Sequence, residues 1–68
     1  MPLNERLRML RKERKETQLQ VALDVGITEH QYQRFEAGKQ KPGFDNFCAL
    51  AKHFGVSLDY LACLTDER

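Results

Sequence analysis

The sequence has few of the features that would indicate secretion, membrane insertion or a disulfide framework. It contains no tryptophan, two prolines and two cysteines in 68 residues. No apolar run approaches the roughly 20 residues that a membrane-spanning helix needs. The N-terminus also lacks the apolar core of a signal peptide. We therefore expect a cytoplasmic protein that makes no use of a membrane.

The residues that usually bind metals or carry out catalysis are sparse and scattered. Cys48 and Cys63 stand alone on apolar stretches, which favours two reduced, buried thiols. His30 and His53 lie too far from acidic or thiol partners to suggest zinc. No nucleophile or carboxylate pair is placed with a base, and so small a chain leaves little room for a substrate cavity. The sequence therefore predicts no metal, no cofactor and no enzymatic activity.

The net charge of +1 hides an uneven distribution of charge along the chain. Residues 1–44 contain nine lysines and arginines against six acidic residues, a charge of +3. Residues 45–68 contain two against four, a charge of −2. Binding to a polyanion depends on local potential, so the basic part permits contact with nucleic acid without demanding it.

Apolar spacing predicts five helices and no strands, an all-α domain that spans residues 1–68. Asn4 is expected to cap the first helix, with Leu7 and Leu10 on its buried side. The basic side chains surround the rest of that helix: Arg6, Arg8, Arg11, Lys12, Arg14 and Lys15. The basic run 11–15 is interpreted as a solvated face near a helix C-terminus.

The C-terminal part of the chain supplies the predicted aromatic core. A fourth helix is expected to bury Phe44, Phe47, Leu50, Ala51 and Phe54. Gly55 ends that helix and Ser57 caps a short fifth one. The inward side chains of this fifth helix are expected to be Leu58, Leu61 and Leu64. The polar tail 65–68 is expected to fray.

Residues 17–36 form the most informative segment, because two short helical patterns meet there at a glycine. Thr17 can cap the first of these helices, and Thr28 can cap the second. Gly26 suits the left-handed backbone position that ends a helix, since it lacks a Cβ atom. Two helices that cross at a glycine turn indicate a helix-turn-helix.

The second helix of this segment has a polar outer surface. It is expected to bury only Tyr32 and Phe35 and to leave five polar side chains free: Glu29, His30, Gln31, Gln33 and Arg34. In a helix-turn-helix, side chains near the start of the second helix reach base edges in the major groove. Arginine can bind guanine, glutamine adenine, and glutamate the amino group of cytosine. Two interpretations of Glu29 are equally open: it reads a base, or its charge faces the positive end of the helix dipole.

The chain resembles the helix-turn-helix family of phage repressors, Cro proteins and xenobiotic-response-element-type (XRE) regulators. The resemblance runs from Arg6 to Leu61 and rests on an ordered set of short motifs: Thr17-Gln18, Val21-Ala22, Gly26-Ile27-Thr28, Phe35-Glu36, Gly38, Pro42, Leu50-Ala51 and Val56-Ser57-Leu58-Asp59. It implies a compact five-helix domain like that of lambda repressor. It also implies a transcriptional regulator of bacterial or phage origin that binds double-stranded DNA.

The resemblance also implies a role for individual residues. Glu29, His30 and Arg34 match the family's base-reading positions, and Gln31 and Gln33 are placed to assist. The expected contacts with DNA phosphates come from four residues: Gln18, Thr28, Lys39 and Lys41. Arg11 and Glu36 match a structural ion pair that fixes the spacing between helices.

The pattern departs from the family at Leu19 and Leu23, where polar residues are usual. Two interpretations remain open: peripheral packing against the first or fourth helix, or an exposed apolar patch for a partner or second subunit. The function favoured by the sequence is a sequence-specific regulator, a repressor that binds a palindromic operator as a homodimer. Its dimer surface is placed on the fourth and fifth helices. The alternative is a protein-interaction module, of the antitoxin or anti-repressor kind, in which DNA binding is secondary or lost.

Overall fold

The computed structural model describes residues 1–68 and confirms an all-α fold of five helices without strands. The helices are α1 (Leu3–Glu13), α2 (Gln18–Val25), α3 (Glu29–Glu36), α4 (Phe44–Phe54) and α5 (Leu58–Leu61). None of them is long and apolar enough to cross a membrane. Helix α3 packs against α1 and α2, while α4 lies against α2 and α5.

Local sequence chemistry sets the turn between α2 and α3 as predicted. The Thr17 hydroxyl accepts a hydrogen bond from the backbone N–H of Gln20, whose side chain bonds back to the backbone N–H of Thr17. This reciprocal pair satisfies two helix-end donors. Gly26 ends α2 at φ +85°, in the left-handed region. Thr28 then caps α3 by accepting from the backbone N–H of Gln31.

One apolar core fills the space between the helices. Its eleven buried side chains come from all five helices: Leu7, Leu10, Val21, Ala22, Tyr32, Phe35, Leu50, Ala51, Phe54, Tyr60 and Leu61. Ile27 and Val56, which follow the glycines that end α2 and α4, pack against it. Burial of this apolar surface is the main favourable term in folding, so the helix-turn-helix is held from behind by α1 and α4.

The start of α1 differs from the sequence-based prediction. Pro2, rather than Asn4, occupies the position before the helix, and no side chain caps it. Arg6, which was expected on the solvated side, is buried. Its guanidinium donates to the carbonyl oxygens of Tyr60 (2.6 Å) and Thr65 (3.0 Å). These partners lie more than 50 positions away in the chain, so the helical pattern of α1 alone gives no indication of them.

Three apolar side chains assigned to the core are exposed. Phe44 is 75% exposed and Leu64 77%, and Leu58 is 43% exposed. Phe44 is the first residue of α4 and projects beyond the core, which is reached only from Phe47 onward. In α5 the buried side chains are Leu61, as predicted, and Tyr60, which was not predicted, because a helix of four residues turns only one side to the core.

The C-terminal tail, which was expected to fray, makes contacts with α1 and with the start of α5 in the structure. Arg68 binds both carboxylate oxygens of Glu13 at 2.8 and 2.7 Å, and its carbonyl oxygen accepts from the backbone N–H of Ser57. The ring of Tyr60 lies between two guanidinium groups, at 4.1 Å from Arg6 and 5.3 Å from Arg68. Cation–π contacts and ion pairs thus join the tail to α1.

Candidate nucleic-acid interface

Helix α3 has an inward face that is fully packed and an outward face that is polar. Tyr32, Phe35 and Glu36 are buried. The outward side chains of Glu29, His30 and Gln33 are exposed, while those of Gln31 and Arg34 are partly buried. The burial of Glu36 was not anticipated, since only Tyr32 and Phe35 were expected inside. Its carboxylate faces α1 and α2 instead of solvent.

The loop after α3 completes one side of the outward face. His30, Gln33 and Arg34 line a shallow groove together with Ala37 and Lys39. Arg34 is not free, as had been expected, because its Nε donates to Oε1 of Gln40 at 3.2 Å. Its terminal nitrogens have no partner of their own in the structure. The glutamine therefore fixes the stem of Arg34 and leaves the end of the guanidinium available to a ligand.

The beginning of α3 presents a second group of polar atoms. Thr28 is exposed, and its oxygen caps the helix while its hydroxyl hydrogen stays available as a donor. Glu29 is the first residue of α3 and is exposed. Its place fits both interpretations given above, a base-reading carboxylate or a charge that faces the positive end of the helix dipole.

The two loop lysines lie in different places. Lys39 borders the groove along α3, next to His30 and Arg34. Lys41 lies instead beside the start of α1, in a groove that includes Pro2, Leu3 and Gln40. Both lysines are exposed. The structure therefore brings Lys39, but not Lys41, together with the outward side chains of α3.

Behind α3, the carboxylate of Glu36 collects donors from two other helices. Arg11 of α1 binds it through Nε at 2.7 Å and Nη2 at 3.1 Å. Gln18, the first residue of α2, donates to the same carboxylate at 3.2 Å. Arg8 donates to the carbonyl oxygen of Glu36 at 3.3 Å. The end of α3 is thus tied to α1 and to the start of α2 through one residue.

Arg11 also holds the turn between α1 and α2. Its Nη1 donates to the carbonyl oxygen of Glu16 at 3.0 Å, while its own carbonyl accepts from the Glu16 backbone N–H at 3.1 Å. Lys15, just before Glu16, has φ +56°. A non-glycine residue persists in this left-handed region only when its surroundings fix it. The contacts of Arg11 with Glu16 supply that constraint.

The pKa values in this network follow from burial and pairing. The hydrogen bond with Glu36 raises the pKa of Arg11, so the guanidinium stays charged. Burial alone would raise the pKa of Glu36, but the hydrogen bonds from Arg11 and Gln18 hold it below its usual value. Burial, with the adjacent Glu36, raises the pKa of Tyr32. The buried Tyr32 hydroxyl has no hydrogen-bond partner.

Sequence reasoning missed two residues that shape this surface. Gln40 lies in a polar loop and positions Arg34, and Arg8 binds the end of α3. Arg8 lies three positions before Arg11 and so shares its side of α1, a spacing that pointed to it in principle. No local pattern distinguishes Gln40 from its polar neighbours.

The five helices, the glycine turn and the polar outward face of α3 together define a helix-turn-helix domain. Residues 4–67 match the model of a helix-turn-helix domain family. The chain belongs to this family, which its relatives and structural neighbours identify as that of the phage-repressor and XRE-type regulators.

Two relatives illustrate the similarity in sequence. The HTH-type transcriptional regulator YobD of Bacillus subtilis is 43% identical over 63 residues, which cover 93% of this chain and 56% of YobD. The cryptic phage CTXphi transcriptional repressor RstR of Vibrio cholerae is 35% identical over 69 residues, which cover 98% of this chain and 62% of RstR. The chain thus spans little more than half the length of these relatives.

A similarity in structure accompanies the similarity in sequence. The P22 c2 repressor, crystallised in complex with the synthetic operator 9T, matches with a TM-score of 0.86 and 31% sequence identity. The match covers 90% of this chain and 92% of the repressor chain. The solution structure of the DNA-binding domain of the same repressor gives an equal TM-score of 0.86. These matches confirm the predicted fold class.

Proposed function

We propose that residues 1–68 form a DNA-binding unit that recognises a specific duplex sequence and regulates transcription, as a repressor that occupies its operator. The polar outward face of α3 is the observation that carries this proposal. The inward side chains of the same helix are buried, so α3 is held rigidly while its outer side chains remain open. The crystallised P22 c2 repressor, which shares this fold, is bound to an operator.

Base reading is assigned to the outward side chains of α3, namely Glu29, His30, Gln31, Gln33 and Arg34. Arg34 has the strongest case, because a guanidinium can form two hydrogen bonds with guanine and Gln40 already positions its stem. Contacts with phosphates are assigned to Gln18, Thr28, Lys39 and Lys41. Such contacts fix register and orientation and carry no sequence information directly.

We further propose that two copies bind a palindromic operator in the cytoplasm. A single domain of this size offers few phosphate contacts, and a second copy doubles them. Two recognition helices would then lie about 34–36 Å apart, one helical turn along the same side of the duplex. The exposed side chains of Phe44, Leu58 and Leu64, on or beside α4 and α5, provide apolar surface for the contact between copies.

The salt dependence of binding tests this proposal. Titration of a labelled random-sequence duplex pool with the protein is expected to show an affinity that falls steeply between about 50 and 200 mM salt, because bound lysines and arginines displace counterions from DNA. Sedimentation of the same mixtures is expected to show two protein chains per duplex for the tightest complexes. An affinity that does not change with salt would contradict the proposal.

A protein-interaction module is the second candidate function. The exposure of two leucines on α2 favours it. Leu23 is 71% exposed and Leu19 46% exposed, so the interpretation as peripheral packing is wrong for Leu23. In this second candidate function, Leu19 and Leu23 form a contact with a protein partner or a second subunit that is separate from the surface on α4 and α5. Replacement of both leucines with glutamate should then lower the oligomeric mass in sedimentation while the helical circular dichroism stays the same. An unchanged mass would eliminate the patch as a contact between copies.

A further inference from the structure

His53, near the end of α4, makes contacts that its position in the sequence did not suggest. Its Nδ1 lies 2.6 Å from a carboxylate oxygen of Asp24 in α2, and its Nε2 lies 2.9 Å from one of Glu16 in the turn between α1 and α2. The side chain is only 6% exposed. The earlier expectation that His53 has no acidic neighbours is therefore wrong, because folding brings together residues 29 and 37 positions apart.

Both contacts together require a charged imidazole ring. A neutral histidine has one N–H donor and one lone pair, whereas an ionised carboxylate only accepts hydrogen bonds. Two short contacts to two carboxylates are satisfied when both ring nitrogens carry hydrogen. Burial raises the pKa of Glu16, but the hydrogen bonds from His53 and Arg14 lower it by a larger amount. The pKa of Glu16 therefore lies below its ordinary value, and the carboxyl group is ionised at neutral pH. The geometry of the cluster therefore fits an imidazolium between two carboxylates.

Glu16 links this cluster to the network behind α3. Its side chain is held by His53 and, at 2.8 Å, by Nε of Arg14. Its backbone N–H donates to the carbonyl oxygen of Arg11, and its carbonyl oxygen accepts from Nη1 of Arg11. Arg11 is also the residue that binds Glu36. Gln18, two positions further on, donates to the same Glu36 carboxylate. A displacement of Glu16 would therefore move the donors that fix the end of α3 and the start of α2.

We propose that His53 is a positioning residue for DNA binding, which, as an imidazolium, holds Glu16 and thereby sets the turn from which Arg11 and Gln18 fix the recognition helix. This inference rests on the proposed function, since it names a pH-dependent control of the same interface. Histidine is the side chain that ordinarily changes charge between about pH 5 and 8. A ring that carries hydrogen on both nitrogens donates to both Asp24 and Glu16, and loss of either hydrogen removes one of the two hydrogen bonds of this bridge. Affinity for DNA therefore decreases as the pH rises.

The surroundings of His53 define the controls. The open groove around it is lined by two basic residues, two acidic residues and one glutamine: Arg14, Lys52, Glu16, Asp24 and Gln20. Phe54 lies edge-on to the imidazole at 4.8 Å. Lys52 borders the groove without a hydrogen bond to His53 and is exposed. Lys52→Gln is the matched control, because it removes a charge at the same place and leaves the bridge intact.

The test measures affinity for a labelled duplex, selected from a random pool, between pH 6 and 8 at constant ionic strength. All variants carry His30→Gln, so that His53 is the only histidine left. Because His30 is assigned to base reading, the duplex is selected with this His30→Gln parent, and every variant is compared with that parent. We expect affinity to fall at least about fivefold over this range, the lower end of typical coupling between sites. His53→Gln, Glu16→Gln and Asp24→Asn are each expected to flatten the profile, and Lys52→Gln is expected to retain it. Thermal melts identify variants that do not fold.

Glu16→Gln separates positioning from a simple charge effect. This variant keeps the His53 ring, so any long-range attraction of a charged ring for DNA persists, while the link to Glu16 is weakened. A pH dependence that survives Glu16→Gln would overturn the inference, as would a flat profile in the parent protein that binds DNA. Absence of binding by every variant at every pH would overturn the proposed function as well. Nitrogen-15 spectra of the His53 ring then show independently whether both ring nitrogens are protonated at pH 6.

Discussion

The inward and outward faces of α3 both contain polar groups, but these groups differ in how they are paired. Behind the helix, the carboxylate of Glu36 is almost fully buried and receives hydrogen bonds from Arg11 and Gln18. In front, His30 and Gln33 are exposed, and Arg34 is held only through its Nε. The Glu36 carboxylate is thus paired inside the protein, whereas the outward side chains keep hydrogen-bonding groups free. We therefore expect inward substitutions to alter stability and outward ones to alter recognition.

The largest effect is expected from Glu36→Gln, which leaves the charge of Arg11 near the core without its carboxylate. Removal of one member of a buried pair costs about 3 kcal/mol, a large part of the roughly 3–10 kcal/mol that stabilises a domain of this size. Urea unfolding of the wild type and the variant measures the loss. The exposed Glu13–Arg68 pair provides the control, since solvent screening makes Glu13→Gln much less harmful. Equal losses in the two variants would contradict the account.

Acid is expected to act on the same inward network. Because the pKa of Glu36 in the folded protein lies below its ordinary value of 4.5, its stabilising effect is present above about pH 4.5 and is lost as the pH falls through the lowered pKa. We expect a loss of about 2 kcal/mol, the scale of hydrogen bonds to a charged group. The free energy of unfolding measured from pH 7 to pH 3 should fall less steeply in Glu36→Gln. Parallel curves for both proteins would assign the acid sensitivity to other carboxylates.

On the outward face, Arg34→Ala is expected to relax base preference at one position of the preferred duplex. A good pair of hydrogen bonds with a base is worth about 1–3 kcal/mol of discrimination, while an exposed substitution changes stability by less than about 0.5 kcal/mol. Competition between the preferred duplex and single-base variants measures the effect. If affinity and preference are both unchanged, the orientation proposed for α3 is wrong.

Lys41→Ala distinguishes a phosphate contact from a base contact. It is expected to weaken binding to all duplexes about equally and to lower the slope of log affinity against log salt by about one unit. Lys52→Ala is the matched control, because Lys52 is also an exposed lysine but lies in the groove next to His53, away from α3. Equal slopes for the two variants would show that Lys41 does not contact the DNA.

The smallest effect is expected from Tyr32→Phe. The Tyr32 hydroxyl is buried without an aligned hydrogen-bond partner, so its removal costs no regular hydrogen bond and relieves an unsatisfied group. The free energy of unfolding should stay within about 1 kcal/mol of the wild type or increase slightly. A loss comparable to that of Glu36→Gln would mean that the hydroxyl supports the carboxylate directly.

The parts of the fold that depend on short-range chemistry could be predicted from the sequence. Thr17, Gly26 and Thr28 act within three or four residues of themselves, and each has the predicted role. Contacts between distant residues were missed, except for the Arg11–Glu36 pair that the family resemblance implied. Arg6 binds backbone oxygens 54 and 59 positions away, and His53 reaches Glu16. Helical periodicity shows which side of a helix is apolar, but it does not indicate which polar side chain finds a distant partner.

In the candidate site, too, some contacts could be predicted from the sequence and others could not. The resemblance to the family placed Arg11 opposite Glu36, and the structure holds them together at 2.7 Å. The burial of Glu36 and the role of Gln40 depend on the packing of other elements against α3 and had no local indication. The exposure of Phe44 was missed for a similar reason, since apolar spacing does not show where the core ends along a helix.

Selection of bound duplexes from a random pool tests the central claim most directly. If the outward face of α3 reads DNA, repeated rounds of binding and amplification with the wild-type protein should converge on one sequence, with two-fold symmetry and half-sites one helical turn apart. The same selection with Arg34→Ala should lose preference at one position in each half-site. A pool that stays random after selection with the folded wild-type protein would contradict the account.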